Sequence, residues 1–177
     1  MPVSVLRFRP GIVLPPRVYL DTNFLLHSRD PLSRKYRSAS LCLRELLQQR
    51  VELNVSALVF DELWWGLFKL SYRLLTGQEL TGQEYKHNVE VWQWNWPRLR
   101  RITDEILEWG GINVLESSSV ELVRDASGLI DANPLAPRDA FHLTFVMRYG
   151  IPALVTADSD FDAVQLPEER HLTIVKF

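Results

Sequence analysis

The chain has 177 residues, of which 46% are hydrophobic and 24% charged, with a formal net charge of −2. These values fit one globular domain with a full core and exclude a disordered or low-complexity chain. The near-neutral charge excludes a global positive field for recruiting nucleic acid, and the single cysteine, Cys42, excludes an internal disulfide and a thiolate-rich zinc site.

Residues 1–16 carry several prolines and an Ile-Val-Leu patch, and are expected to form an extension ahead of the domain. Arg7, Arg9 and Pro10 interrupt any signal-peptide core, and no apolar run is long enough to span a membrane, so a cytoplasmic protein is expected. A short strand is predicted at 17–20, ending at Asp21. Asp30-Pro31 suggests a helix start, and Tyr36, Ala39, Leu43, Leu46 and Leu47 recur at helical spacing up to about Gln49. Cys42 lies in that apolar pattern and reads as a small buried hydrophobe.

A second strand at 52–55 leads through Ser56, a candidate N-cap, into a helix with Leu63, Leu67, Leu70 and Leu74 on one stripe. Residues 76–96 form a Trp-rich insertion, and Pro97 is expected to open the next helix, stopped by Gly110-Gly111. A third strand follows at 112–115, then a helix capped by Ser118 or Ser119. Pro137 starts a helix ended by Gly150, and strands at 153–156 and 172–175 complete the chain. Alternation of strands and helices predicts a three-layer α/β/α sandwich around a central, mainly parallel five-stranded sheet, with residues 17–177 as a single domain.

The chemistry concentrates in acids at strand-to-helix junctions. Asp21 ends Val-Tyr-Leu-Asp, Glu62 sits in Phe-Asp-Glu-Leu, Asp139 in Pro-Arg-Asp-Ala-Phe-His-Leu, and Asp158 in Val-Thr-Ala-Asp-Ser-Asp-Phe. Ligands of open α/β sheets bind beyond the carboxyl ends of strands where the strand order reverses. If the first three strands grow one way and the fourth starts on the other side, all four acids face one crevice. Carboxylates gathered there repel, and a hard divalent cation is the usual compensation, so metal-assisted hydrolysis is the leading reading. Individually each acid has a plain structural alternative. Asp139 reads as a cap, Asp158 as a turn residue, Asp21 as an Asx-turn and Glu62 as a solvated helical acid with Asp61 as its rival.

With these motifs the chain resembles the PIN-domain family, in particular the VapC-like toxin ribonucleases of type II toxin–antitoxin systems. The resemblance runs over 17–177. It implies a PIN-like fold and places Asp21, Glu62, Asp139 and Asp158 as catalytic and metal-binding acids, with Asp160 as an auxiliary ligand. It further implies Mg²⁺ or Mn²⁺ as cofactor, RNA as substrate, and a cut leaving a 5′-phosphate and a 3′-hydroxyl. A cognate antitoxin and a homodimer are the expected partners. The N-terminal extension and the Trp-rich insertion depart from the simplest members.

Thr22, Asn23 and Thr156 are candidates for orienting the acids, with a local turn bond as the alternative for each. His142 shares a helix face with Asp139 but is expected to pack, because this mechanism does not require an imidazole. Arg34, Lys35 and Arg37, and Arg98, Arg100 and Arg101, are basic clusters that either track phosphates or form solvated helix faces. Trp92, Trp94 and Trp96, with Trp64 and Trp65, read as packing or as a dimer or antitoxin interface before base stacking. Alternatives to the toxin are a housekeeping PIN nuclease acting in RNA processing or on DNA flaps, and an inactive PIN-like RNA- or protein-binding module. A receiver-like domain would want a lysine after its last strands, and Lys176 alone is nearby.

Overall fold

The computed structural model describes residues 3–80, 89–116, 119–167 and 169–177, with only the backbone of 90 and 91. Residues 81–88 of the Trp-rich insertion and Ser118, one of the two candidate caps, lie outside the described residues. Six strands form one sheet in the order β1-β6-β5-β2-β3-β4. The strands are β1 (Val3–Arg7), β2 (Arg17–Leu20), β3 (Glu52–Ser56), β4 (Ile112–Leu115), β5 (Ala153–Val155) and β6 (Leu172–Lys176), and every pairing is parallel. Among the described residues the α-helices are α1 (Thr22–Arg29), α2 (Tyr36–Gln48), α3 (Ala57–Thr76), α4 (Val89–Leu107), α5 (Val120–Ala132) and α6 (Pro137–Arg148).

The α/β class and parallel sheet agree with the sequence reading, but there are six strands rather than five. The added strand, β1, lies in the segment expected to precede the domain. It pairs in register with β6 from Val3–Leu172 to Arg7–Lys176, and Phe8 N–H continues the ladder to Lys176 O at 2.7 Å. Arg7 and Pro10 concealed it from a pattern reading, because an edge strand need not bury both faces; Val5 is 46% exposed. The central strands show the opposite pattern. Val18, Tyr19 and Leu20 of β2 and the whole of β5 are fully buried, as expected of parallel strands covered on both faces. Each Val or Leu side chain so withdrawn from water contributes roughly 1.5–3 kcal/mol.

Two local expectations are corrected, and one helix is added to the chain-order reading. A helix, α1, follows Asp21 at once; Phe24 and Leu25 are its buried face, and eight residues are too few to show a clear period. Asp30 does not open α2: it ends α1, and its carboxylate accepts the Leu32 N–H at 3.0 Å in a tight turn. Pro97 lies inside α4, which already begins at Val89. A proline there forfeits the hydrogen bond to the carbonyl four residues back. Tertiary packing offsets that loss: Trp92 stacks on Phe68 with centroids 4.2 Å apart, Trp96 meets Trp64 edge-on at 5.4 Å, and Trp64 Nε1–H donates to Thr103 Oγ1 at 2.8 Å. Trp64, Trp92 and Trp96 thus join α3 to α4. Ser119 is the cap of α5, accepting Leu122 N–H at 3.1 Å.

The topology fixes the crevice. β2, β3 and β4 run outward on one side, while β5, β6 and β1 occupy the other. β2 and β5 are therefore neighbours whose following segments diverge, and the cleft opens beyond their carboxyl ends.

Candidate functional site

Asp21, Glu62, Asp139 and Asp158 line one cleft of about 520 Å³. Asp21 occupies the N-cap position of α1, yet its side chain makes no capping bond. The carboxylate turns instead to its neighbours: Thr156 Oγ1–H donates to Oδ2 at 2.6 Å, and Asn23 Nδ2–H donates to the same oxygen. Asp21 is 5% exposed. Burial pushes its carboxyl above the usual range, opposed by the nearby His142 and the Thr156 bond.

Glu62 stands one turn into α3. Its Oε2 accepts from Thr22 Oγ1 at 2.6 Å and lies 2.9 Å from His142 Nε2, while Arg138 approaches Oε1 at 3.4 Å. Burial alone would raise this carboxyl. The hydrogen bonds from His142 and Thr22 and the charges beside it outweigh burial and hold it below the usual range. The two acids therefore shift in opposite directions: burial dominates at Asp21, and the partners dominate at the half-buried Glu62.

Asp139 lies in the first turn of α6, where Ala136 is the capping residue, so Asp139 is free of that role. Its carboxyl is pushed up to about 6, by burial first and then by the negative charges of Asp158 and Asp21. Asp158 combines two roles: one oxygen accepts Asp160 N–H at 2.9 Å in a turn, and the residue still lines the cleft. Among the described residues no basic side chain forms an ion pair with Asp139, Asp158 or Asp160.

Oxygen and nitrogen atoms able to hold a metal fall into two sets, Asp21 with Glu62 and His142, and Asp139 with Asp158 and Asp160; within each set the atoms lie within 4.8 Å of one another. The carboxylate-dominated donor set suits a hard cation, and the raised carboxyl of Asp139 records repulsion that such an ion would relieve.

The candidates for orienting groups all bond acidic side chains, and Thr156 makes the local turn bond as well. Thr22 reaches Glu62, and Asn23 and Thr156 converge on Asp21. Asn23 Oδ1 also accepts Ala157 N–H at 2.9 Å, and Asp158 N–H donates to Thr156 Oγ1 at 3.0 Å. The loop after β5 is held to the start of α1 by these bonds.

Two residues have roles that the sequence reading missed. His142, expected to pack, is 1% exposed but fully engaged, with Nδ1 2.9 Å from the Tyr19 hydroxyl and Nε2 facing Glu62 and Asp21. Its position three residues after Asp139 was the available signal. Lys176, discounted with the receiver-like reading, extends from β6 beneath the acidic loop. Its ammonium donates to the Asp158 carbonyl and pairs with Asp162 at 2.7 Å. The basic and aromatic wall of the cleft comes from α3, where Lys69 lies 5.5 Å from the centre of the Trp65 ring and Arg73 follows one turn on. Of the two Arg-rich clusters, Lys35 sits near the Phe177 ring, and Arg100 and Arg101 pair along their own helix with Asp104 and Glu105.

No helix among the described residues is long and apolar enough to cross a membrane. No curated protein matches the chain by sequence. Among solved structures, the chain is similar to the VapC20 toxin of Mycobacterium tuberculosis, described as cleaving the Sarcin-Ricin loop, with 16% identity and a TM-score of 0.55 over 86% of this chain and 98% of that one. It is also similar to VapBC2 of Rickettsia felis, a complex bound to a promoter DNA fragment, with 14% identity and a TM-score of 0.54 over 89% and 98% of the two chains. Identities this low establish a common fold and leave chemistry to the site. The family model described as PIN domain matches residues 18–166, most of the chain and all four cleft acids. This protein belongs to the PIN domain family.

Proposed function

We propose that this protein is a metal-dependent endoribonuclease and the toxin of a toxin–antitoxin pair. The observation that carries the reading is the convergence of Asp21, Glu62, Asp139 and Asp158 on one cleft, with the carboxyl of Asp139 raised to about 6 by burial and then by its acidic neighbours. Asp21, Asp139 and Asp158 would hold Mg²⁺ or Mn²⁺, with Glu62 alongside and Asp160 as an auxiliary; the cation supplies charge neutralisation and polarises the phosphodiester.

The chain's own groups supply the rest. Glu62, kept ionised by Thr22, His142 and Arg138, is an acceptor for the proton of an attacking water. In-line attack breaks the bond from phosphorus to the 3′-oxygen, leaving a 5′-phosphate, while the departing oxygen takes a proton and becomes a 3′-hydroxyl. Thr156 and Asn23 keep Asp21 aimed during this exchange. Lys69, Trp65 and Arg73 offer a charged and aromatic wall for the strand.

Likeness to VapC20 and VapBC2 supports the toxin role over housekeeping RNA processing, and the intact acids favour a nuclease over an inactive binding module. The same reading takes a cognate antitoxin as partner, a homodimer as the assembly and the cytoplasm as the location. Exposed Leu74, Leu75 and Trp94 on α3 and α4 give apolar surface for such contacts.

The test is incubation of RNA with the protein and Mg²⁺ or Mn²⁺, with EDTA and Asp21→Asn as controls. Cleavage is expected only with metal and wild-type protein. Millimolar Mg²⁺ should also raise the wild-type melting temperature and do less for the variant. Equal cleavage by Asp21→Asn overturns the site; no cleavage of any RNA under metal overturns the function.

A further inference from the structure

We propose that His142 is a positioning residue, whose Nε2–H, donated to Glu62 and facing Asp21, sets the two carboxylates on the floor of the cleft. The imidazole is almost wholly buried, in the middle of a chain of polar groups that crosses the sheet face. Ser56 Oγ lies 2.8 Å from the Tyr19 hydroxyl, which lies 2.9 Å from His142 Nδ1. On the other side of the ring, Nε2 lies 2.9 Å from Glu62 Oε2 and 3.9 Å from Asp21 Oδ1. Tyr19 also walls the ring, with centroids 5.7 Å apart, and itself stacks on Phe145.

Chemistry assigns the proton between His142 and Glu62. A carboxylate oxygen accepts, and His142 Nε2 lies within hydrogen-bond distance of Glu62 Oε2. Thr22 already donates to the same oxygen at 2.6 Å, so the hydrogen in the short contact belongs to Nε2. A nitrogen that carries its hydrogen has no lone pair for a cation. His142 is close enough to Asp21 and Glu62 to complete a three-residue metal set, but its bonding makes it a donor to the acids rather than a ligand beside them. Ser56 belongs to the same chain: it stands at the N-cap position of α3, makes no capping bond and shares a hydrogen bond with the Tyr19 hydroxyl instead. A helix cap is forgone to anchor the chain that ends at the acids.

The consequence is preorganisation. Glu62 comes from α3 and Asp21 from the end of β2, and two like charges brought together drift apart unless tethered. His142, carried by α6 and anchored to Tyr19 of β2, provides one donor to the pair from beneath while leaving their cleft-facing lone pairs open.

The test compares His142→Asn with His142→Gln. A glutamine amide can place an N–H near the position of Nε2, whereas asparagine reaches only the position of Nδ1. Mn²⁺ affinity is measured by titration and cleavage kinetics by RNA assay, with circular dichroism and melting curves on both variants. His142→Asn is expected to lose roughly 10–100-fold in Mn²⁺ affinity or turnover, as second-layer partners typically do. His142→Gln should recover most of it. Histidine ¹⁵N resonances of the metal-free wild type should show a protonated Nε2, and electron spin echo spectra of the Mn²⁺ form should show no directly bound histidine nitrogen. Equal loss in both variants, a bare Nε2, or a nitrogen bound to Mn²⁺ overturns the proposal. The cleavage arm rests on the nuclease reading; the ¹⁵N and Mn²⁺ arms stand without it, so failure of that reading is seen separately.

Discussion

Asn23 and Thr156 meet across the junction of β2 and β5, the Asn23 amide donating to the Thr156 hydroxyl at 2.9 Å. Thr156 passes its own proton to Asp21 Oδ2 and accepts the N–H of Asp158, while Asn23 Oδ1 accepts the N–H of Ala157. One small network therefore fixes both a buried carboxylate and the loop that carries the next one. It lies at the switch point of the sheet, where two strands adjacent in space are far apart in sequence.

Removing the shared hydroxyl should loosen both. Thr156→Val leaves Asp21 Oδ2 with the Asn23 amide alone and the Asp158 amide without its hydroxyl acceptor, and is expected to cost about 1–3 kcal/mol in urea unfolding and to weaken Mn²⁺ binding. Thr156→Ser retains the hydroxyl and should stay near wild type in both measurements.

Asp139 predicts a pH dependence. Its folded-state carboxyl is raised from 3.8 to about 6, so folding favours the protonated form. The stability tied to this group is fully present below the unfolded value and is lost as pH rises through about 6. In EDTA, the melting temperature of wild type relative to Asp139→Asn should therefore decline between pH 4 and 7. Saturating Mg²⁺ should reverse part of that decline in wild type alone. A difference between the two proteins that is constant across pH would refute the environment described for Asp139.

Lys176 should matter although it lies outside the cleft. Its ammonium bonds the Asp158 carbonyl and pairs with Asp162, with its side chain 15% exposed. Lys176→Met keeps the apolar stem and removes the charge. We expect about 1.5–3 kcal/mol lost in denaturant unfolding, together with weaker Mn²⁺ binding through the displaced Asp158–Asp160 turn. Asp162→Asn, which removes only the paired carboxylate, should show a smaller effect on the metal.

Residues 17–177 are proposed as the self-sufficient domain. A chain beginning at Arg9 should still fold by circular dichroism, because β1 is half exposed and the core strands lie elsewhere. Its β6 would become an unprotected edge, so concentration-dependent aggregation by light scattering is expected. Failure to fold at all would instead make β1 integral to the domain.

Local pattern sufficed where one residue or one period decides the outcome. The buried β2 and β5 strands, the stripe of α3, the stop at Gly150 and the acids at strand ends all follow from hydrophobic runs and punctuation within short windows. The parallel sheet and the likeness to PIN domains were legible for the same reason. Pro97 misled because a local rule was overruled by contacts of Trp64, Trp92 and Trp96 that join two helices. Likewise β1 depends on β6, which lies at the other end of the chain.

The identities of the acids were thus written in the sequence, but their states were not. A carboxyl group's behaviour depends on what surrounds it in space: Asp139 is raised by burial and by Asp158 and Asp21, and Glu62 is lowered by His142, Thr22 and Arg138, none of these residues sequence neighbours of the group they act on. In sequence Ser56 reads as a helix cap and Asp21 has an Asx-turn as its alternative, yet folding turns both side chains elsewhere, Asp21 toward Thr156 and Asn23, Ser56 toward Tyr19. Burial and hydrogen bonding are properties of the assembled sheet and its helices, and these set which proton each group keeps.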